Sequence, residues 1–505
     1  MSEPQIVWSP FQTAFFDFVQ MGEGSAILEA VAGSGKTTVI VEGASRMAGQ
    51  VFMGAYNTKM GRELQDRTKD LPNVQAGTFH SVGFKAVRFA NRGVKIDLDE
   101  KKCLKIAKTI AQEKLRQDLL DLAGTVAKLV SIAKQRGIGA LTRLDSFQAW
   151  MDLVEHFGFD EQIPEDVSFE KVIKFAQVVL FRSNQNIRVI DFDDMVYLPL
   201  AKGYRTLQFD WVLIDEAQDT NPTRRALAKK MLRPGGRLVA VGDPRQGIFG
   251  FTGADNDALD QIAQEFQAVR LPLSITYRCP KAVVRHAQQW VQHIEAAETA
   301  PEGSVSELDF GELFSTVRVG DAILCRYNKH LVTAAFQLIR AGVPAKMEGR
   351  SIGEGLVKLA SRWKVKKLDT LETRLEKYQE REVAKALKKE QETRADQIAD
   401  RVETLRTLID RAREEGIDTL EGLKTMIMDL FEDRAGEQKP CVVLSSCHKA
   451  KGLEWDRVFL LGREQFMPSQ MARRPWQIEQ EMNLIYVAVT RAKQHLVEVQ
   501  DVPAD

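Results

Sequence analysis

The chain reads as an α/β protein built on two parallel sheets, each interrupted by a mainly helical stretch, and three observations predict this. A Gly-rich turn follows the short apolar run at residues 25–30 and opens a helix near Lys36, which is how a nucleotide-binding α/β unit begins. Residues 211–214 and 238–241 are unbroken apolar runs of the kind buried on both faces of a parallel sheet, each followed closely by an acid. Beyond Tyr277 the pattern returns, with apolar runs at 322–325 and 442–444. The first sheet unit is expected over 1–90 and 187–275, and the second over 276–355 and 438–505.

Between these parts the periodicity turns helical. Leu104, Ala107, Ala111 and Leu115 recur three or four residues apart, so 91–186 reads as a helical insertion. In 356–437, Leu368, Leu371, Leu375 and Tyr378, then Ile398, Val402, Leu405 and Ile409, follow heptad-like spacing and predict a helical hairpin. Its first limb, 361–389, carries ten basic and five acidic residues, and its second, 390–437, seven basic and fourteen acidic. The two limbs are expected to pair with each other, so that the basic limb is structural rather than a nucleic-acid footprint.

Length and composition bound the function classes. With 505 residues, 44% hydrophobic and 28% charged, the chain has room for several packed cores and is neither disordered, collagenous nor a disulfide scaffold. Seventy basic against seventy acidic residues cancel, so a polyanion must be met by a local basic surface. Five scattered cysteines without a C-x-x-C pair argue against a zinc site and fit a reducing cytosol. The start lacks a basic-then-apolar signal segment, and no run approaches the ~18 apolar residues of a membrane span, so a cytoplasmic location is expected.

The chemistry is concentrated in two strings. In Ala30-Val31-Ala32-Gly33-Ser34-Gly35-Lys36-Thr37-Thr38, backbone N–H groups at a helix start can wrap a phosphate chain, Lys36 can reach the β and γ phosphates, and Thr37 can hold Mg²⁺. Ala30 replaces the first glycine of the usual pattern. The run at 211–214 ends in Asp215-Glu216-Ala217-Gln218-Asp219, which places Asp215 to bind the metal and Glu216 to polarise the attacking water.

Together with further strings, the chain resembles the UvrD/Rep family of superfamily 1 DNA helicases over nearly its whole length. Gln12 stands at the family's adenine-reading position. The segment containing Tyr56, Asn57, Thr58 and Lys59, and the next containing Thr78 and His80, resemble its single-strand-binding motifs, and Asp191-Phe192-Asp193-Asp194-Met195 resembles the segment before the metal-binding strand. Gly242-Asp243-Pro244-Arg245-Gln246 resembles the coupling motif, in which Gln246 senses the γ-phosphate while Phe249 and Phe251 face bases; Thr252 departs from the usual Arg. Thr276-Tyr277-Arg278 implies adenine stacking by Tyr277 and γ-phosphate contact by Arg278. In the string His448 to Trp455, His448 would meet DNA phosphate, and Gly452 and Glu454 the nucleotide. Arg491 resembles a second arginine finger.

The resemblance implies two RecA-like lobes, ATP and Mg²⁺ as cofactors, single-stranded DNA and its junctions as substrate, 3′→5′ stepping and a monomer. Stacking aromatics on such a track bind bases without demanding a sequence. Fourteen residues follow Arg491, enough for one strand near His495, and the duplex-splitting pin of relatives is not evident. Little intrinsic unwinding, with a partner supplying loading or strand separation, is therefore the alternative. A P-loop signalling NTPase is the rival from another class; it should carry an N/T-K-x-D motif, and Asn328-Lys329-His330-Leu331 lacks the acid.

Overall fold

The computed structural model describes residues 7–157, 159, 163, 167–248, 257–387, 392–431 and 440–503. The chain divides into two compact units, Met1–Ser274 and Ile275–Asp505.

The first unit is built on six parallel strands: β1 (Ala26–Ala30), β2 (Val51–Ala55), β3 (Val74–Thr78), β4 (Phe209–Ile214), β5 (Leu232–Gly242) and β6 (Val269–Leu273), in the order β3-β2-β4-β5-β1-β6. The apolar runs make the central strands because both faces are covered: Ile27, Leu28, Val51, Phe52, Val212, Leu238 and Val239 have no exposed surface. Register is set by pairs such as Ala26 with Val239 and Val51 with Trp211. Helix Pro10–Met21 precedes the sheet and is started by Pro10 and a Ser9–Gln12 capping box.

Residues 102–185 form four helices, Lys102–Glu113, Gln117–Arg136, Phe147–His156 and Phe169–Gln185, around a separate core that includes Val126, Leu129, Trp150, Val172 and Val179. The same core takes in Val87, Tyr197 and Leu198 from the helices Phe79–Ala90 and Phe192–Ala201 that lead in and out. Under it lies a buried ionic knot. Lys134 Nζ sits 2.6 Å from Asp191 and 2.7 Å from Asp194, and Lys102 Nζ donates to Asp194 at 2.6 Å. Burial works against the charge of Lys134, but Asp194, Cys103 and Asp191 outweigh it and hold its pKa well above the ordinary value. The series at three- and four-residue spacing fails at one point: Leu115 lies past the helix end with φ 48° and is 92% exposed. Periodicity alone cannot mark where a helix stops.

The six-stranded sheet of the second unit is also parallel: β7 (Ser304–Asp309), β8 (Ala322–Cys325), β9 (Ala345–Met347), β10 (Val442–Ser446), β11 (Trp455–Leu461) and β12 (Ala492–Gln500), in the order β7-β12-β11-β8-β10-β9. Helices Leu368–Leu387, Glu392–Glu414 and Leu420–Phe431 come between β9 and β10. One hydrophobic core runs from the sheet (Ile323, Leu444, Phe459) into these helices (Leu371, Leu375, Val402, Leu405, Ile427).

The two heptad limbs pack on each other. Among the described residues, Arg406 and Arg413 of the acidic limb reach across, binding Glu376 at 3.2 Å, and Asp369 and Glu372 at 2.7 Å each, on the basic limb. At 100° per residue the first helix collects its acids on the flank toward the second and turns Lys367, Arg374, Lys377, Arg381 and Lys385 outward. Net charge of a limb does not say which flank bears which sign.

Candidate active site

β1 ends in extended backbone at Ala30, so no glycine is needed there; Gly33 (φ 73°) and Gly35 (φ 76°) supply the left-handed turns that follow. Gly35 caps helix Lys36–Ser45, whose first-turn N–H groups at Lys36, Thr37 and Thr38 have no carbonyl partner within the helix. Ser34 is 1% exposed, and its hydroxyl has no hydrogen-bond partner among the described residues. A buried orphan hydroxyl in a glycine loop fits an incoming phosphate.

Opposite the loop, the end of β4 delivers Asp215 and Glu216. Lys36 Nζ stands 3.3 Å from a Glu216 carboxylate oxygen. Burial opposes the ammonium, yet Glu216, Asp243 and Asp215 together keep the Lys36 pKa above its ordinary value. Glu216 adopts φ 50°, a left-handed conformation that costs a non-glycine residue roughly 1 kcal/mol. Its carboxylate is held by the Gln218 amide, whose Oε1 accepts from the Asp243 backbone N–H at 3.1 Å. Gln246 Nε2 donates to Asp243 at 2.8 Å. Burial and the neighbouring Glu216 push Asp215 up to about 7, and burial raises Asp243. Three carboxylates against one lysine make a site short of positive charge, which fits a divalent cation brought with a nucleotide. Among the described residues no three His, Cys, Asp or Glu side chains are grouped to hold a metal alone. Gln12 is 6% exposed, its side-chain oxygen accepting from Ser9 N in the capping box.

A second cluster in this unit surrounds a cavity lined by Tyr56, His80, Gln135, Asp193, Asn221 and Arg224, among others. The Arg224 guanidinium lies 4.9 Å from the Tyr56 ring centre, and the Phe192 ring meets His80 edge-on at 6.5 Å. Burial, with Arg224 adding to it, lowers the His80 pKa to about 4. Asn57 and Thr78 cap helices Thr58–Arg67 and Phe79–Ala90, accepting from Met60 N at 3.0 Å and Ser81 N at 3.2 Å; Lys59 is exposed. Phe249 and Phe251, with Thr252, lie outside the described residues.

In the second unit, Arg278 Nε binds Glu454 at 2.6 Å, and its NH1 reaches the carbonyl of Thr490 at 3.4 Å. Arg491 is fully buried, donating to the carbonyls of Val487 (2.8 Å) and Leu453 (3.2 Å). Tyr277 is 49% exposed beside them, and Gly452 takes φ 86°. Burial, then Arg326, depresses the His448 pKa to about 3. Asp243, Gln218 and Arg224 were missed as site residues, although the first two stand in strings that were recognised. Gln218 and Asp243 meet across the ends of strands β4 and β5, and Arg224 meets Tyr56 beyond the end of β2, contacts that no one-dimensional pattern records.

A glycine loop with its lysine, strand-end carboxylates facing it and a parallel sheet behind define a P-loop NTPase. The profile of the UvrD/REP helicase N-terminal domain matches residues 12–267, and that of the UvrD-like helicase C-terminal domain matches 352–499. The chain belongs to the UvrD/REP helicase family, and its two sheets are RecA-like lobes. It is 24% identical to the ATP-dependent DNA helicase UvrD2 of Mycobacterium tuberculosis, over 94% of this chain and 76% of that protein. It is likewise 24% identical to the ATP-dependent DNA helicase PcrA of Staphylococcus aureus, over 56% of this chain and 40% of the relative.

Proposed function

We propose that this enzyme is an ATP-dependent DNA helicase that uses Mg²⁺·ATP to step 3′→5′ along single-stranded DNA. The observation that carries the proposal is the loop of Ser34, Gly35 and Lys36 facing Glu216, which Gln218 ties to Asp243. Lys36 binds the β and γ phosphates, Thr37 and Asp215 hold the metal, and Glu216 takes the proton of the attacking water. Gln246 reports the γ-phosphate through Asp243. Gln12 and Tyr277 bind the adenine, Glu454 with Gly452 the sugar, and Arg278 and Arg491 the charge that spreads over the γ-phosphoryl oxygens in the transition state. Tyr56, His80 and His448, with Asn57, Lys59, Thr78, Phe249 and Phe251, form the DNA track. The order of events follows from energy: nucleotide binding favours one conformation, hydrolysis releases it, and DNA grips that differ between the two advance along the strand.

Among the described residues the sheet strands pair in parallel and the antiparallel bridge between Lys367 and Thr419 joins segments far apart in the chain, so none of these forms a β-hairpin wedge. Base-pair stacking costs about 1.4 kcal/mol per step, and without a wedge the motor depends on thermal fraying. We therefore propose fast translocation with weak unwinding by the isolated monomer, a helical insertion or a partner protein supplying strand separation. ATP turnover with and without oligo(dT) tests the motor, and single-turnover rates on single strands and on tailed duplexes test the unwinding. Turnover indifferent to DNA refutes the first proposal. Unwinding at nearly the translocation speed refutes the second.

A further inference from the structure

The helical insertion of the first unit carries a groove of about 400 Å³ that the ATPase mechanism does not use. Its floor is apolar: Ile110, Leu119 and Phe175 are 1, 7 and 5% exposed, and Val178 continues the floor outward at 37%. Its rim is basic, with Lys114, Arg116, Lys171 and Lys174. Asp118, held by Arg116 at 2.7 Å and by Lys171, and Glu170, held by Lys174 at 2.6 Å, offset only part of that charge. Helix Phe169–Gln185 begins at the rim, and its dipole adds positive potential there.

Leu115, between two rim residues, is the second observation. The Arg116 N–H reaches the Ala111 carbonyl at 3.0 Å, and the Leu115 N–H reaches Gln112 at 3.0 Å, which is the Schellman ending of helix Lys102–Glu113. The left-handed position of that motif favours glycine; a leucine there costs roughly 1 kcal/mol and, at 92% exposure, recovers almost nothing from packing. Val178, four residues on from Lys174, and Phe181 (53% exposed), three further, extend the apolar surface along helix Phe169–Gln185.

We propose that this groove binds an acidic peptide segment of a partner protein that carries an apolar anchor residue. The anchor sits on Ile110, Leu119 and Phe175, Leu115 closes over it, and the peptide carboxylates meet Lys114, Arg116, Lys171 and Lys174. The apolar floor favours a peptide over nucleic acid, because a phosphate backbone would use the rim and leave the floor uncovered.

Fluorescence anisotropy with the full chain tests this, the probe being a labelled peptide of about twelve residues rich in Asp and Glu with one central Phe. Binding is expected to weaken about tenfold or more when that Phe is replaced by Ser, and again in K114E/K174E. Leu115→Gly should weaken binding several-fold while raising Tm, which separates the contact from folding. Equal binding of the Ser peptide, no response to K114E/K174E, or displacement of the peptide by duplex DNA that loses affinity in the same variant would each overturn the proposal. DNA-stimulated ATP hydrolysis is expected to stay intact in both variants of the protein, and a loss there would make the insertion part of the motor instead.

Discussion

Replacing Glu216 by Gln isolates proton abstraction from binding, because the structure shows what would stay in place. The left-handed backbone at 216 is set by the turn after β4, and the Gln218 amide can donate to an amide oxygen as it does to the carboxylate. Asp215, Lys36 and the loop are untouched, so the metal and nucleotide should still bind. What disappears is the base, and with it a negative charge 3.3 Å from Lys36. A positioned general base contributes ~10²–10⁴-fold, and the lower bound corresponds to about 2.7 kcal/mol of barrier. We expect kcat for oligo(dT)-stimulated hydrolysis to fall at least about a hundredfold, with affinity for a fluorescent ATP analogue and for single-stranded DNA within about threefold of the parent. Steady-state hydrolysis at saturating ATP and equilibrium titration read the two quantities separately. A kcat within about threefold of the parent would falsify the assignment of Glu216, and a parallel collapse of ATP affinity would show that it holds Lys36 rather than activating water.

Lys36→Ala should lose both ATP affinity and turnover; unchanged values for both would remove the lysine from the site. Lys134→Met strips the cation from between Asp191 and Asp194, and an uncompensated buried pair of this kind costs about 3–5 kcal/mol by denaturant titration. A loss below about 1 kcal/mol would mean the knot is solvated in solution. The His80 pKa, lowered from 6.5 to about 4, implies that the fold resists protonation, so stability should decline as pH falls from 6.5 toward 4, by at most about 3 kcal/mol. His80→Gln should flatten that limb of the stability–pH curve, and an unchanged slope would contradict the burial. Arg278→Ala should abolish DNA stimulation of hydrolysis with Tm unchanged, whereas Arg491→Ala, which removes a wholly buried guanidinium, should lower Tm as well.

Strand-forming runs, the glycine loop and the acidic strand end were legible in the sequence because each depends on neighbours in the chain. Parallel strands buried on both faces need consecutive apolar residues, and a phosphate loop needs glycines at fixed offsets from its lysine. The family resemblance likewise rested on short strings, and the domain profiles recovered it. Three features were not legible. Gln218 joins Glu216 to Asp243 only because β4 and β5 lie side by side. Leu115, in register with an apolar helix face, is thrown into solvent because the helix stops two residues earlier, at Glu113, in a Schellman turn that periodicity does not mark. Arg406 and Arg413 of the acidic limb find acids on the basic limb because a helix distributes its charges around 360°, and only the packed neighbour decides which flank it meets. Local chemistry is written along the chain, whereas the partners of each side chain are settled by which surfaces are buried together.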